Sequence, residues 1–277
     1  MAATDQIAIV RLGVADALAG LALSTEAHWN QNEADWRFFL TMGTMFGVRD
    51  HVGHLIASAA LLPYGSGNAW VSMVLVTENW RRRGIATRLI DACLDAASKQ
   101  RLVTWLDATP AGARVYGPLG FAPTLQLRRL RLKQAMSAKT EATPSLSPCD
   151  IETFIAHDRR AMGFDRSALL AEIGGRSGSR LLSNGEAFAA IRDGRTARHI
   201  GPLFAASSDQ ALAMVNAIVQ GETGPLLIDA INEQDEFLKG LIGSGWEIER
   251  PFQRMRFGSA GVSSAELPFA VAGPEYG

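Results

Sequence analysis

The stretch Val74-Leu75-Val76-Thr77-Glu78-Asn79-Trp80-Arg81-Arg82-Arg83-Gly84-Ile85-Ala86-Thr87 constrains the fold of this 277-residue chain more than any other. An apolar run ends in a basic turn. From Gly84 to Ser98, Ile85, Leu89, Ile90, Cys93, Leu94 and Ala97 then recur at helical spacing, with Arg88, Asp91 and Asp95 on other faces. A buried strand leading straight into an amphipathic helix requires a sheet with helices packed against it. The core of the turn reads Arg-x-x-Gly-x-Ala. The first N–H groups of a helix lack intrahelical partners and carry the positive end of its dipole, so such a turn can receive a diphosphate. Gly84 and Ala86 keep side-chain bulk off the path of a ligand, Arg82 and Arg83 add charge, and Thr87 adds a hydroxyl. The alternative is a solvated basic turn with a small residue packed close. Neither Gly-Lys-Ser/Thr nor G-x-G-x-x-G occurs here, which sets aside the two common nucleotide loops.

Around this unit the periods alternate. Ile7 to Arg11 reads as a strand, and Ala15 to Met42 as two helical stretches parted by a polar turn at Asn30 to Glu33. His54 to Tyr64 and Ala69 to Val76 read as a hairpin across Gly-Ser-Gly-Asn. Leu102 to Leu106 is a strand, Ala111 to Tyr116 a short helix, and Gly120 to Lys133 a final pair of strands. The order is strand, helices, three strands, helix, strand, helix, strands, an α/β or α+β arrangement. Gln134 to Pro148, rich in Ala, Ser, Thr and Pro, breaks the pattern and reads as a linker. Beyond it, helices at Ile151–Ala161, Ser167–Ile173, Asp209–Val219 and Glu233–Ile242 alternate with strands at Glu186–Arg192, His199–Ala206, Pro225–Asp229 and Phe252–Phe257. Leu267 to Ala272 reads as a docked extended segment. The second half thus repeats the style of the first.

Net charge of -1 leaves no broad electrostatic term for nucleic acid or anionic membrane. Cys93 and Cys149 cannot build a disulfide framework or a C-x-x-C site, and the histidines form no pair at metal-ligand spacing. No metal is therefore expected. The beginning lacks a basic n-region with a long apolar core, and no run approaches the ~20 residues of a membrane span, so a cytoplasmic location is expected.

A second signature follows the loop in order: Leu106-Asp107-Ala108-Thr109-Pro110-Ala111-Gly112-Ala113-Arg114-Val115-Tyr116-Gly117-Pro118-Leu119-Gly120-Phe121. Together the two stretches resemble the GNAT superfamily of acyl-CoA-dependent N-acyltransferases, with its Gln/Arg-x-x-Gly-x-Gly/Ala loop and later Tyr-x-x-x-Gly-Phe. Trp29-Asn30-Gln31 with Asp35-Trp36 looks like the substrate-side helix pair of a tandem subgroup whose second domain is a diverged copy. Gly163-Phe164-Asp165-Arg166-Ser167, Gly201-Pro202-Leu203, Arg254-Met255 and Ala272-Gly273-Pro274-Glu275 look similar to that copy. The resemblance implies two GNAT-like domains, each a mixed twisted sheet flanked by helices, the second degenerate. Residues 1–133 would bind acyl-CoA, 134–148 would link, and 149–277 would shape the acceptor site.

It also implies acetyl-CoA as co-substrate. The pantetheine would run along Val74, Leu75 and Val76, and the diphosphate would sit on Arg81, Arg82, Arg83, Gly84, Ile85, Ala86 and Thr87. Tyr116 would act as general acid toward the departing thiolate, and the acceptor would be a small-molecule or peptide amine. Trp29, Asn30, Asp35 and Asp229 are the candidate acceptor contacts. Some relatives carry a basic Glu before the loop, but Val71, Ser72 and Met73 supply no carboxylate. Glu26, His28, Asp35 and Asp107 remain for that role. An N-acetyltransferase is the first expectation. The alternative is a non-catalytic acyl-CoA-binding regulatory or interaction protein. A fragment ending near Pro148 would keep CoA binding if the second half serves only the acceptor.

Overall fold

The computed structural model describes residues 8–134, 145–258 and 267–277. Contacts divide the chain into two units. One takes residues up to Pro63 together with Gly67–Thr104, and the other takes Tyr64–Ser66 with Trp105–Gly277. The division thus falls inside a strand at Thr104/Trp105, while most of the expected linker, residues 135–144, lies outside the described residues.

The first unit carries β1 (Ile9–Arg11), α1 (Ala17–Glu26), α2 (Glu33–Met42), β2 (Thr44–Arg49), β3 (Leu55–Tyr64), β4 (Asn68–Val76), α3 (Ile85–Lys99) and the start of β5 (Val103–Ala108). Its strands lie in the order β1-β2-β3-β4, and β2 runs antiparallel to both β1 and β3. Two local devices fix the helix pair. A Cβ on Gly20 would fall 2.2 Å from the ring of Trp36, so only glycine lets α1 approach that buried indole. The indole N–H then donates to Ser24 Oγ at 3.0 Å. Helix α2 opens with a capping box: Asn32 Oδ1 accepts the Asp35 N–H at 3.1 Å, and Asp35 Oδ2 accepts the Asn32 N–H at 2.9 Å. On α3 the buried face is Ile85, Leu89, Ile90, Cys93 and Ala97, the stripe expected from its spacing.

The second unit continues with α4 (Pro110–Tyr116), β6 (Ala122–Leu132), β7 (Ser147–Pro148), α5 (Ile151–Met162), α6 (Ser167–Gly175), β8 (Arg180–Ser183), β9 (Ala187–Arg192) and β10 (Arg198–Ala205). Helix α7 (Ser208–Gln220), β11 (Leu226–Ile231), α8 (Asp235–Gly243) and β12 (Glu247–Phe257) complete it. Its strand order is β5-β12-β6-β11-β10-β9-β8-β7. Leu130, Leu203, Met214, Ile228 and Phe237, all fully buried, join β6, β10, α7, β11 and α8 in one apolar cluster.

The expected pair of strands at 120–133 is one eleven-residue strand, β6. Its partners come from the second half of the chain: β12 pairs with it antiparallel from Glu247↔Arg131 to Arg256↔Ala122, and β11 from Leu226↔Leu132 to Ile231↔Leu127. With both edges paired by distant strands, β6 needs no hairpin of its own. The residues ahead of α6 divide two tasks. Arg166 is the N-cap residue, and Asp165 instead accepts from Ser167 Oγ at 2.7 Å and pairs with Arg159. Among the described residues no helix is long and apolar enough to cross a membrane.

Candidate functional site

The loop between β4 and α3 is built to leave backbone donors open. In β4, Met73 adopts a left-handed backbone with φ 51°, a costly conformation for a residue with a side chain, and Ser58 Oγ holds its carbonyl at 2.8 Å. The next residues are half-buried Val74, buried Leu75 and half-buried Val76. A 3-10 turn at Glu78–Trp80 follows, with the Glu78 N–H donated to the Glu26 carboxylate at 2.8 Å. Two of the three arginines are tied to the turn. Arg81 Nε donates to the Val76 carbonyl at 3.1 Å. Arg83 donates to the Asn79 carbonyl at 3.0 Å and lies over the Trp80 ring at 4.7 Å. Arg82, exposed and itself left-handed at φ 61°, has no side-chain partner among the described residues.

Gly84 is the N-cap of α3, with φ 72° and nothing within 4 Å of where a Cβ would stand. No side chain caps this helix. The N–H groups of Ile85, Ala86 and Thr87 are therefore unmatched within it, shortly after Arg82 in the chain.

The corresponding turn in the second unit is closed. Ahead of α7, Ser207 Oγ accepts the Gln210 N–H at 3.3 Å and Gln210 Oε1 accepts the Ala206 N–H at 3.0 Å. Asp209 adds negative charge to that first turn. One strand–turn–helix offers donors, and the other satisfies its own.

The remaining expected residues divide between the units. In the first, Trp29 is half-buried with its N–H on the Ser24 carbonyl at 2.8 Å, Asn30 is buried, and fully buried Asp35 is engaged in the α2 cap. Among the described residues Gln31 Oε1 is buried without a partner, as is Ser72 Oγ on β4. His28 is exposed at φ 57°. In the second unit, Tyr116 ends α4, which starts on the Thr109 cap and Pro110. Its half-buried ring stands 6.1 Å from that of Phe121, and Gly112 leaves room for it. Asp107 is held by both arms of Arg254 at 2.8 Å. Burial pushes its carboxyl up from the ordinary value, against the pull of that guanidinium.

Asp229 departs from its expected acceptor-facing role. It is fully buried on β11, directly opposite Arg129 of β6, which grips both carboxylate oxygens at 2.8 and 2.7 Å. His199 Nε2 lies 2.8 Å from Oδ2. Burial opposes ionisation, but Arg129 and His199 outweigh it and hold Asp229 below the ordinary carboxylate range. A carboxylate only accepts, so Nε2 carries the proton and Nδ1, buried and unpartnered, is the bare nitrogen. Burial, ahead of the opposing Asp229 contact, lowers the His199 pKa. These side chains staple β6, β11 and β10 together and engage both oxygens of a carboxylate that has no exposed surface. The signal for the pair was present as arginines within Leu127-Arg128-Arg129-Leu130-Arg131-Leu132 and a lone aspartate within Leu226-Leu227-Ile228-Asp229-Ala230-Ile231. Nothing local says that these two runs are neighbours.

Two matches to protein families place this architecture. The Acetyltransferase (GNAT) family matches residues 16–121, and an Acetyltransferase (GNAT) domain matches residues 154–266. The chain belongs to the GNAT superfamily as a tandem of two such domains, and is an acyltransferase of that type. Among its relatives, a Bacillus subtilis (strain 168) protein described as an uncharacterized N-acetyltransferase, YitH, is 26% identical over 235 residues, covering 82% of this chain and 83% of that protein. A candidate acetyltransferase from Pyrococcus horikoshii shares the fold with a TM-score of 0.84 at 19% identity, over 99% of this chain and 96% of that one. A tandem GNAT protein from the clavulanic acid biosynthesis pathway aligns with a TM-score of 0.65 at 14% identity, over 92% and 100% of the two chains.

Proposed function

We propose that this acyltransferase moves an acetyl group from acetyl-CoA to a primary amine by direct attack in a ternary complex. The observation that carries the reading is the start of α3, with Gly84 left-handed and open, the first N–H groups uncapped and Arg82 unengaged. A diphosphate matches that set of donors in charge and geometry. Loop 81–87 takes the diphosphate, and the backbone of Val74–Val76 takes the amide-bearing arm. The neutral amine attacks the thioester carbonyl, the C–S bond breaks, and the amine loses its extra proton to water. Tyr116 gives its proton to the departing thiolate and regains one from solvent, so the products are an amide and free CoA. That role for Tyr116 rests on its place in the Tyr-x-x-x-Gly-Phe signature. Release of thiol from acetyl-CoA across a library of amines, with CoA affinity followed by calorimetry, tests the reading. The absence of both CoA binding and thiol release would sink it.

One observation favours a non-catalytic acyl-CoA-binding protein instead. Glu26 is engaged by the Glu78 N–H, Asp35 by its cap and Asp107 by Arg254, so three of the four candidate bases are committed elsewhere. CoA binding without thiol release from any amine would select this second reading.

A further inference from the structure

In the second GNAT domain, β10 and β11 start as parallel neighbours, paired from Arg198↔Leu226 to Ile200↔Ile228. Beyond Ile200 the register of β10 on β9 is also interrupted, and β10 and β11 separate. Two strands that part inside a buried sheet leave facing rows of N–H and C=O groups, each costly to bury unpaired. Here those rows are met by the segment that follows Leu267. The Leu203 N–H donates to the Ala270 carbonyl at 3.0 Å, and the Phe269 N–H to the Leu203 carbonyl at 2.9 Å. On the other side, the Ile231 N–H donates to the Phe269 carbonyl at 3.1 Å, and the Val271 N–H to the Asp229 carbonyl at 3.0 Å. Ala270 thus bridges antiparallel to both strands at once.

The segment is also anchored beyond the gap. Buried Arg192 pairs with Glu275 at 2.7 Å and donates to the Ala272 carbonyl at 3.3 Å. Buried Arg166, held by Asp158, donates to the Tyr276 carbonyl at 3.1 Å, and the Tyr64 hydroxyl donates to the same oxygen at 2.8 Å. Gly201 faces the segment so closely that a Cβ there would meet the Val271 carbonyl at 2.1 Å. Recognition is therefore largely through backbone, with apolar side chains such as Phe269 entering the core.

We infer that the gap between β10 and β11 is a strand-binding slot for an extended, amide-bearing chain, that its resident ligand is this protein's own segment Pro268–Ala272, and that acyl-CoA has no place there in the intact protein. The self-capped turn ahead of α7 agrees, since a cofactor arm entering this gap would find no diphosphate donors at its mouth. The inference concerns the second domain alone and stands apart from what loop 81–87 binds.

Hydrogen exchange on the full chain tests it. In the wild type, saturating CoA should leave exchange in peptides spanning 199–205 and 226–231 unchanged, and protection there would overturn the inference. Protection across 74–88 in the same samples reports separately on the first loop. Its absence would count against the acyl-CoA reading and leave this one untouched. Val271→Pro deletes the donor to Asp229 and should speed exchange at Leu203 and Ile231 by about tenfold or more while residues 44–63 stay protected. A synthetic peptide, PFAVAGPEYG, added to that variant should restore slow exchange, and a scrambled peptide should not. Unchanged exchange in the variant, or no rescue by the matched peptide, would show that the segment merely packs. If Val271→Pro does not fold, the wild-type experiment with CoA decides.

Discussion

Replacing Gly84 by Val separates ligand recognition from stability, because the protein itself places nothing in the way. A Cβ at this position would find no heavy atom within 4 Å, so the first atom of a new side chain enters open space. Its cost to the fold is backbone strain alone: φ is 72°, and a left-handed conformation costs a residue with a side chain about 1–2 kcal/mol. Against the roughly 5–15 kcal/mol that stabilises a domain, the variant stays folded. The ligand meets a different situation. If a diphosphate lies on the Ile85, Ala86 and Thr87 N–H groups, a branched side chain at Gly84 stands where it must approach, and CoA affinity should fall by about 100-fold, near 2.8 kcal/mol. Gly53 supplies the control. It lies in the same unit with φ 92° and equally open space, so Gly53→Val imposes comparable strain without touching the loop. Calorimetric titration with CoA, beside urea unfolding of each variant, reads both quantities. Unchanged affinity in folded Gly84→Val would refute the placement of the diphosphate, and an equal loss in Gly53→Val would assign the effect to strain.

Arg82→Ala should weaken CoA binding several-fold and flatten its salt dependence, whereas Arg83→Ala, already spent on Asn79 and Trp80, should do less; the reverse order would remove Arg82 from the site. Tyr116→Phe should lower kcat by about 10²–10⁴ with CoA affinity intact, and the defect should shrink as pH nears the thiol pKa; wild-type kcat at neutral pH would assign the ring to packing. Arg129→Met strands the buried Asp229 carboxylate and should cost about 3–5 kcal/mol in urea unfolding, recovered in part by pairing it with Asp229→Leu; a loss under about 1 kcal/mol would mean the pair carries no weight. His199 has its pKa lowered by burial below the 6.5 of the free side chain, so below that pH the unfolded chain binds the extra proton. Its stabilising contribution is full above pH 6.5 and falls by up to about 1.4 kcal/mol per unit as pH drops toward the folded value. Melting temperature against pH should lose part of that slope in His199→Gln, and an unaltered slope would exclude the ring as its source.

Local pattern made the elements readable wherever one period ran unbroken. Helix α3 and the runs that became β3, β4, β9 and β10 sit close to where their pattern put them, because α3 buries one stripe while these strands are covered along nearly their whole length. Short strands were harder. In β2 the alternation is broken at Gly47, where a Cβ would strike Leu12 and Leu55 at under 3 Å, and β8 is only four residues long. Pairing was the least legible property. Nothing in Ala122–Leu132 says that its partners lie about 100 residues away, and the apolar run predicted as two strands is a single central one because those partners pair both edges. The same reason hid the role of Asp229. An aspartate at the end of an apolar strand reads as the lip of a cleft until the strand beside it is known to place an arginine directly across. For the loop, the residue types were readable, whereas the distinction among three adjacent arginines was not. It depends on which guanidinium reaches a carbonyl or an indole within the turn.

Strand exchange also alters what the tandem arrangement means. Two copies joined by a polar linker suggest parts that could be separated near Pro148, yet such a cut would remove β11 and β12 together and strip β6 along both edges. The chemistry inside the sheet points the same way. Asp107 on β5 has Arg254 of β12 as its bidentate partner, and Arg129 on β6 has Asp229 of β11, so the cut would remove a counter-charge from each. Leu127, Leu130 and Leu132 would lose the apolar neighbours they have on β11 and β12, and burial of such side chains is worth about 1.5–3 kcal/mol each, against roughly 5–15 kcal/mol for a whole domain. A fragment ending near Pro148 should therefore aggregate or remain unfolded, and its failure to bind CoA would say nothing about the loop. The second half of the chain completes the sheet in which β5 and β6 lie.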